Sequence, residues 1–385
     1  MTFCKTSPGN GLTGFFKALL CLMMLFSGLR PVPAASAGMV DQILKSQSEF
    51  RITLYASALA GVRMLRFTPE GDLIASQTPS GRVIILSRDT DGDGLSDARR
   101  VLLDGLNGPH GVDLDAGMLY VAEEDAIGRI KFNDATNTIE GAYQRIITGL
   151  PQGGGHSSRT LRVGPDGKLY VSVGSSCNVC LEDDPRRAAM LRYDLDGGNA
   201  EIFAQGLRNS VGFDWRPADG ALYATDNGRD WLGDDFPPCE LNRIEQGGHY
   251  GWPYANGRNI PDPEFGAGAA DKIARAMAPA FEFRAHNAPL GISFVRNPGA
   301  PETLRGAALV ALHGSWNRRE KDGYKVVSLH WQPDGSIIQR DFLWGFLENG
   351  KVRGRPVDVA EGPDGAFYVS DDFDGRIYRV AWIGR

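Results

Sequence analysis

The chain has 385 residues, among them 49 glycines and 22 prolines, and a formal net charge of −6 at pH 7. This acidic balance argues against a nucleic-acid-binding protein, because such proteins present strongly basic surfaces. The high glycine and proline content, together with a modest charged fraction of 23%, favours an all-β, turn-rich protein over a helical one.

The first 37 residues have the layout of a secretory signal peptide. Lys5 and Lys17 precede an apolar run at residues 18–26, and the small residues Ala35-Ser36-Ala37 follow it. The apolar run is too short for a comfortable membrane span, and no later segment is long and apolar enough to form one. We expect cleavage after Ala37 and export to the periplasm or medium, with residues 38–385 forming one domain.

One pattern recurs along the chain: an apolar strand, a turn rich in Pro, Asp and Gly, and a second strand ending in Tyr-Val or a similar pair. A weaker copy lies at residues 292–314. Successive early turns lie about 50 residues apart, which is the length of a four-stranded propeller blade. We therefore predict an all-β, six-bladed β-propeller, in preference to a β-sandwich with a second domain. The five clear copies surround the turn glycines Gly71, Gly117, Gly167, Gly220 and Gly365.

The most distinct metal-binding pattern is an acidic loop in the first repeat, with alternate carboxylates around two glycines. Such a loop offers a hard cation several oxygen ligands at once, as Ca²⁺ requires. It is not a complete EF-hand, because Arg100 stands where a bidentate Glu is needed. We interpret it as a structural calcium loop, the alternative being a solvated acidic turn. The four carboxylates are Asp89, Asp91, Asp93 and Asp97.

Two histidines lie in glycine-containing loops that lead into strands. His156 follows Gly153-Gly154-Gly155 and precedes the hairpin around Gly167. A loop histidine held by a rigid hairpin is suited to general-base chemistry near neutral pH, the alternative from this stretch alone being a polar loop histidine with no catalytic role. His110, in the segment GLNGPHG, either lines the same channel mouth or is a satisfied loop residue.

Three cysteines remain after the predicted signal peptide is removed. Cys177 and Cys180, spaced CNVC, form a local disulfide in our interpretation, which leaves Cys239 free. The alternative is half of a zinc site, but no second CxxC and no paired histidines complete it.

Two segments place cationic residues just before strands at equivalent points of two repeats. The first, GLRNSVGFDW, contains Arg208 and Asn209, and the second, KVRGRPVDV, contains Arg353 and Arg355. An arginine fork suits a planar carboxylate. Each pair alone is typical of surface salt bridges, but together they indicate a cationic ring around an anionic ligand.

Two further loops contribute candidate ligands. The Gly228-Arg229 peptide in ATDNGRDW offers backbone carbonyls to a cation or ligand. The segment HGSWNR supplies Trp316 as a stacking surface for substrate and Arg318 as another cation.

The ordered set of these motifs resembles the soluble pyrroloquinoline-quinone sugar dehydrogenases, the glucose/sorbosone dehydrogenase family of six-bladed propellers. The resemblance covers roughly residues 50–383 and rests on the loop histidine before VGPDG, GLRN, DNG, GGHYGWP and RxR in this order. The HGSWNR and GSSCNVC segments are more similar to the sorbosone- and aldose-type branch.

This resemblance implies roles for individual residues. His156 matches the catalytic base, and Arg208 with Asn209 matches the pair that holds the quinone. Arg353 and Arg355 match the arginines that bind its carboxylates.

The resemblance also implies calcium bound by the carbonyls of Gly228 and Arg229, although the second position is often Pro in the glucose-oxidising members. Gly155 stands where those members have an acid, so the partner that orients His156 is unknown. The cofactor lysine of the family has no clean counterpart, and Arg318 is our substitute.

The implied reaction is oxidation of an aldose or sorbosone at C1 with pyrroloquinoline quinone and Ca²⁺, with electrons passing to an external acceptor. Two alternatives remain open. A calcium-dependent lactonase-type hydrolase would need side-chain carboxylates at its metal, whereas the candidates here are mainly cationic. A non-catalytic propeller that binds a carbohydrate or a protein is also compatible with the fold.

Overall fold

Six sheets, each with four consecutive antiparallel strands or their equivalent, dominate the computed structural model, which describes residues 44–384. We call these sheets blades 1 to 6 in chain order. The predicted six-bladed β-propeller is confirmed, whereas the predicted signal peptide and its cleavage site lie outside the described residues.

The strands before and within the first half of the propeller follow one another without interruption. Preceding the blades are β1 (Lys45–Ser46) and β2 (Phe50–Ala56). Blade 1 contains β3 (Val62–Phe67), β4 (Leu73–Gln77), β5 (Arg82–Leu86) and β6 (Arg99–Leu103). Blade 2 contains β7 (Val112–Asp115), β8 (Met118–Ala122), β9 (Ala126–Asn133) and β10 (Thr138–Thr148). Blade 3 contains β11 (Arg159–Val163), β12 (Leu169–Val173), β13 (Ala189–Tyr193) and β14 (Glu201–Gln205).

The second half contains one excursion and one extra hairpin. Blade 4 begins with β15 (Phe213–Trp215), β16 (Leu222–Asp226) and β17 (Cys239–Ile244). The excursion contains β18 (Gly248–His249), β19 (Ala255–Asn256), β20 (Ile260–Pro261) and the helix α1 (Ala270–Arg275), and β21 (Phe281–Phe283) then completes blade 4. Blade 5 contains β22 (Pro289–Phe294), β23 (Ala308–Leu312), β24 (Lys325–Trp331) and β25 (Ile337–Trp344). After the hairpin β26 (Leu347–Glu348) and β27 (Lys351–Val352), blade 6 contains β28 (Pro356–Glu361), β29 (Phe367–Asp371) and β30 (Arg376–Trp382).

The chain closes its own propeller. Strand β2 pairs with β30 in antiparallel fashion and supplies the outermost strand of blade 6, while β1 extends blade 5 by pairing with β25. Strand β2 thereby gives blade 6 its fourth strand, and the chain itself joins the last blade to the first. Of the helices in residues 44–384, none has the length and apolar character that a bilayer span requires.

The turn glycines found in the sequence join the first and second strands of their blades. Gly167, for example, lies between β11 and β12 with φ +70°, a conformation that favours glycine. The second strands are buried on both faces, because neighbouring blades pack against each side of the sheet. This double burial explains why the sequence there is apolar without clear alternation.

The core is divided among the blade interfaces. Leu65 and Tyr368, for instance, belong to a cluster between blades 1 and 6, and Leu241 and Val310 to one between blades 4 and 5. Each interface buries aliphatic and aromatic side chains from both neighbours. Removal of this apolar surface from water stabilises the circular arrangement.

A ring of alternating charges, with five ion pairs between neighbouring members, lies on or just after the first strands of the six blades around the channel. Each aspartate also accepts a backbone N–H from the next blade, at 2.8–2.9 Å, as Asp214 does from Phe294. Arg296 binds Asp214 with both terminal nitrogens at 2.8 Å. Asp214 is fully buried, whereas the side chain of Arg296 is 45% exposed, so the carboxylate is shielded from water and the guanidinium is only partly shielded. Odd-numbered blades supply Arg66, Arg162 and Arg296, and even-numbered blades supply Asp113, Asp214 and Asp358.

The ring separates the two ends of the channel. Arg66 of the ring lies three residues beyond Arg63, which faces a cavity at one end of the channel, and Asp358 lies three beyond Arg355, which faces the same cavity. Three residues of extended chain span about 10 Å. The first strands therefore begin at the end of the channel that contains this cavity, and the charge ring lies about 10 Å farther along the channel.

Candidate active site

Six of the residues predicted from the sequence line one cavity of about 490 Å³ at the end of the channel. A volume in this range is typical of a small-molecule or cofactor site. Loops from blades 3, 4, 5 and 6 contribute to its lining. The six residues are His156, Arg208, Asn209, Gly228, Trp316 and Arg355.

The ring of His156 is held by the loop that follows β12. Its Nδ1 lies 2.9 Å from the carbonyl oxygen of Ser175 and 2.9 Å from the hydroxyl of the same residue. Because a carbonyl oxygen only accepts, Nδ1 carries the proton and donates it to Ser175. Nε2 is then the unprotonated nitrogen, free to accept a proton from a ligand in the cavity. The orienting partner that the sequence did not reveal is therefore Ser175.

Burial and the positive charge of Arg208 lower the pKa of His156 to about 4. The imidazole is therefore neutral at pH 7, as a proton acceptor must be. Gly174 permits this placement, because a Cβ there would lie 2.6 Å from the Cβ of His156 and 2.7 Å from Oδ1 of Asn209.

The guanidinium of Arg208 is buried beneath the cavity and is already occupied by the protein. Its Nη1 donates to the carbonyls of Asn227 and Gly228, each at 3.0 Å. Its Nε and Nη2 donate to the carbonyl and side-chain oxygens of Asn178, each at 2.9 Å. Arg208 therefore supplies positive charge and fixes two loops, instead of presenting the open fork expected from the sequence.

Arg355 is the more available arginine. Its Nη2 lies 3.0 Å from Nδ1 of His313, and its buried Nε has no hydrogen-bond partner among the described residues. Among residues 44–384, no carboxylate forms an ion pair with it. A buried N–H without a partner is costly, so this group is suited to an acceptor on a bound ligand.

His313 connects Arg355 to a second arginine. Since Arg355 can only donate, Nδ1 of His313 accepts and Nε2 carries the proton, which it gives to Asp372 at 3.0 Å. Asp372 also accepts from Arg63 at 2.5 Å. Burial opposes its ionisation, but the hydrogen bonds and charges of His313 and Arg63 lower the pKa of Asp372 to about 2.

A family model described as TrAA12-like matches residues 44–236 and 268–382. The chain belongs to the TrAA12-like family. An uncharacterized protein of Borreliella burgdorferi is 36% identical over 289 residues, which cover 71% of this chain and 76% of that protein. A pyrroloquinoline quinone-dependent sugar dehydrogenase of Hypocrea jecorina is 25% identical over 339 residues, covering 74% of each chain.

Solved structures agree with this assignment at the level of the fold. The iodide structure of a Trichoderma reesei enzyme of carbohydrate-active family AA12 has a TM-score of 0.76 at 23% identity, covering 88% of this chain and 98% of that one. The resemblance to the quinone-dependent sugar dehydrogenases is thereby confirmed, whereas the sorbosone-type branch stays a prediction.

The TrAA12-like cavity contains further polar residues that the sequence did not single out. His286 lies with Nε2 2.8 Å from the carbonyl of Gly233 and Nδ1 3.5 Å from Asp230. The hydrogen bond to Asp230 raises the pKa of His286. His286 begins the segment HNAP, and His313 begins HGSWNR. Only the tertiary structure shows that both histidines line the same cavity.

The side chain of Arg229 is buried against Asp262 at 2.8 Å, and the predicted contact of its backbone carbonyl with calcium stays a prediction. Three other predicted residues lie outside the cavity lining. Arg318 binds Asp235 at 3.1 Å, Arg353 pairs with Glu348 at 3.1 Å near the surface, and His110 is fully buried with Nδ1 3.2 Å from Thr160.

The separation of Arg353 from Arg355 has a local cause. The resemblance assigns both to one ligand, which would require their side chains to point the same way, as alternate residues of a strand do. Residues 353–355 are not part of a strand. At the residue between the two arginines, Gly354, a Cβ would lie 2.4 Å from the ring of Phe346, so the backbone passes directly against that ring.

The acidic loop and the cysteines occupy separate positions. One oxygen each from Asp89, Asp91 and Asp97 lie within 4.8 Å of one another in blade 1, away from the cavity lining, and Asp93 is not part of this cluster. Cys177 and Cys180 form the predicted disulfide, which holds the loop that carries Asn178. Cys239 is free and buried.

Proposed function

We propose that this protein is a periplasmic or secreted sugar dehydrogenase that uses pyrroloquinoline quinone and Ca²⁺ to oxidise an aldose or sorbosone at C1. The observation that carries the proposal is the neutral His156, whose free Nε2 faces a cavity lined by three arginines and one aspartate. The net charge of these four groups is positive, which suits an anionic cofactor better than a metal ion held by several carboxylates.

The residues present fit the quinone and the cation. Arg355, with its unpartnered Nε, and Arg63 would bind carboxylates, and the side-chain amide of Asn209, which makes no hydrogen bond within the described residues, would contact a carbonyl. The carbonyl of Gly228 accepts one hydrogen bond from Arg208 and keeps its second lone pair for a cation. When bound, the quinone supplies the acceptor for the two electrons that leave the sugar as hydride.

The protein itself performs proton transfer and positioning. Nε2 of His156 accepts the proton of the C1 hydroxyl, while the Nδ1–H bond to Ser175 keeps the ring oriented. The resulting imidazolium would be costly beside Arg208, which makes His156 quick to release the proton to water. The electrons would leave through an external acceptor.

Reconstitution tests the proposal. Mature protein is incubated with Ca²⁺ and pyrroloquinoline quinone, and a dye acceptor reports turnover of a panel of aldoses and sorbosone. We expect saturable, quinone-dependent dye reduction. His156→Ala should abolish turnover with quinone binding retained, and His330→Ala, a histidine on β24 outside the cavity, is the matched control. Turnover that survives His156→Ala refutes the assigned base, and folded protein that does not bind quinone favours a binding propeller.

A further inference from the structure

Two tryptophans are exposed at the mouth of the cavity, and they contact each other. Trp231 and Trp316 are 67% and 65% exposed, and they are the only tryptophans among the large apolar side chains exposed within residues 44–384. Their ring centroids lie 5.3 Å apart at an interplanar angle of 83°. Both also line the cavity that contains His156. The two indoles therefore form an apolar corner that continues the site outward.

Hydrogen bonds and an ion pair join the two loops that carry the corner. Asn317, next to one tryptophan, donates to Asp230, next to the other, at 3.3 Å. Arg319 binds Asp234 at 3.1 Å, and Arg318 donates to the carbonyl of the same residue. Arg318, which the sequence suggested as a cofactor residue, thus connects the loops of blades 4 and 5. A surface ordered in advance loses little conformational entropy when a ligand binds.

The backbone at Trp231 supports a functional reason for its exposure. Its φ is +72°, in a region that bulky residues avoid. The side chain is 67% exposed, and its ring contacts that of Trp316 at a centroid distance of 5.3 Å. Backbone outliers of this kind cluster at ligand-binding sites, where a bound ligand benefits from the geometry.

We propose that Trp231 and Trp316 form a stacking subsite for a second sugar ring, linked to the ring that enters the cavity at His156. The inference rests on the proposed function and narrows its substrate class to oligosaccharides or polysaccharide ends. A pyranose presents a face of C–H groups, which the electron-rich face of an indole attracts, and its hydroxyls remain free for polar neighbours such as Asp230. The pair matches one sugar ring in extent, whereas a protein partner needs a face of about 800 Å².

Calorimetry compares the binding of trisaccharides with that of the corresponding monosaccharides. The probes are cellotriose, maltotriose, xylotriose and mannotriose, each also with its reducing end reduced to the alditol so that no oxidation at C1 occurs. We expect at least one trisaccharide to bind about tenfold more tightly than its monosaccharide, or more. Trp231→Ala and Trp316→Ala should each bring this affinity ratio close to one, and Trp231→Phe should retain part of it.

Ile338→Ala on β25, an exposed apolar position in the outer strand of blade 5, is the control and should keep the wild-type ratio. The proposal is overturned if no trisaccharide binds more tightly than its monosaccharide, or if both tryptophan variants keep the advantage. It is also overturned if the variants leave the ratio intact but slow the reduction of cytochrome c relative to the dye, which would assign the corner to a protein electron acceptor.

The same protein is titrated with pyrroloquinoline quinone and followed by absorbance. Tryptophan-dependent trisaccharide binding without quinone binding would refute the proposed function and leave the subsite standing. Quinone-dependent oxidation of monosaccharides without a trisaccharide advantage would refute the subsite alone.

Discussion

Lowering the pH should reduce the free energy of unfolding, because the folded protein keeps His156 neutral. Burial and the nearby Arg208 lower the pKa of this histidine from 6.5 to about 4. An unfolded chain therefore binds a proton near pH 6.5, which the folded protein does not bind until about pH 4. The difference between these two pKa values corresponds to about 3 kcal/mol in the free energy of unfolding. This contribution is fully present above pH 6.5 and is lost as the pH falls through 4.

Urea unfolding at pH 7 and pH 4 measures the effect, with His156→Gln as the comparison. Between pH 7 and pH 4 the free energy of unfolding should fall by about 3 kcal/mol more in the wild type than in the variant, because glutamine at this position binds no proton. Other groups, such as His313, whose pKa burial also lowers to about 4, titrate in both proteins and cancel in the difference. His330→Gln should behave like the wild type.

Histidine-selective NMR of the apoprotein and the pH profile of the reconstituted enzyme report on the same group. The imidazole of His156 should stay neutral down to about pH 4, and kcat/KM should fall near that value, since a protonated Nε2 accepts no proton. An imidazole that titrates near pH 6.5, or equal pH dependence of stability in wild type and His156→Gln, would refute the reasoning.

Three further outcomes follow from the structure. Gly174→Ala puts a Cβ 2.6 Å from the Cβ of His156, so kcat should fall about 100-fold with little change in the unfolding midpoint; unchanged kcat would contradict the tight contact. Asp214→Asn leaves Arg162 and Arg296 without their buried carboxylate and should lower the free energy of unfolding in urea by about 3 kcal/mol, the lower end for a buried pair because Arg296 is 45% exposed, and a loss below about 1 kcal/mol would count against the charge ring. If the acidic loop binds calcium, EDTA lowers the wild-type unfolding midpoint more than that of Asp91→Asn, and equal responses would identify a solvated turn.

Arg208 links the cofactor and metal features of the proposed site. Its guanidinium donates to Asn178 in the disulfide loop and to the carbonyls of Asn227 and Gly228 in the next blade. One side chain therefore sets the positions of both loops and also the charge that keeps His156 neutral. Its low exposure and full set of hydrogen-bond partners join these two loops at the cavity.

Sequence alone was sufficient for the propeller, because the responsible forces are local. Turns such as those at Gly71 and Gly365 require a left-handed backbone, and the apolar runs after them must be buried on both faces. Repetition of this unit at a constant interval leaves few other architectures. The CNVC disulfide was predictable for the same reason, since both cysteines lie in one short loop.

Individual site residues were predictable where the backbone itself carries them. His156 and Asn209 follow glycine-containing loops that bring them next to one another across Gly174. Gly228 was identified through a backbone carbonyl, which is insensitive to side-chain direction. In these cases the position of the residue in its repeat already determines which end of the channel it faces.

Only the tertiary structure decided which charged side chains reach the cavity. Arg353 and Arg355 are two residues apart in the sequence, yet one pairs with Glu348 at the surface and the other with His313 in the site. The direction of a long side chain depends on the partner it finds, and such partners come from other blades. His313 meets Asp372 59 residues away, and the ring pair Arg296–Asp214 spans 82. Electrostatic pairing over such separations is a property of the closed propeller, because only closure brings the first strands of all six blades around one axis.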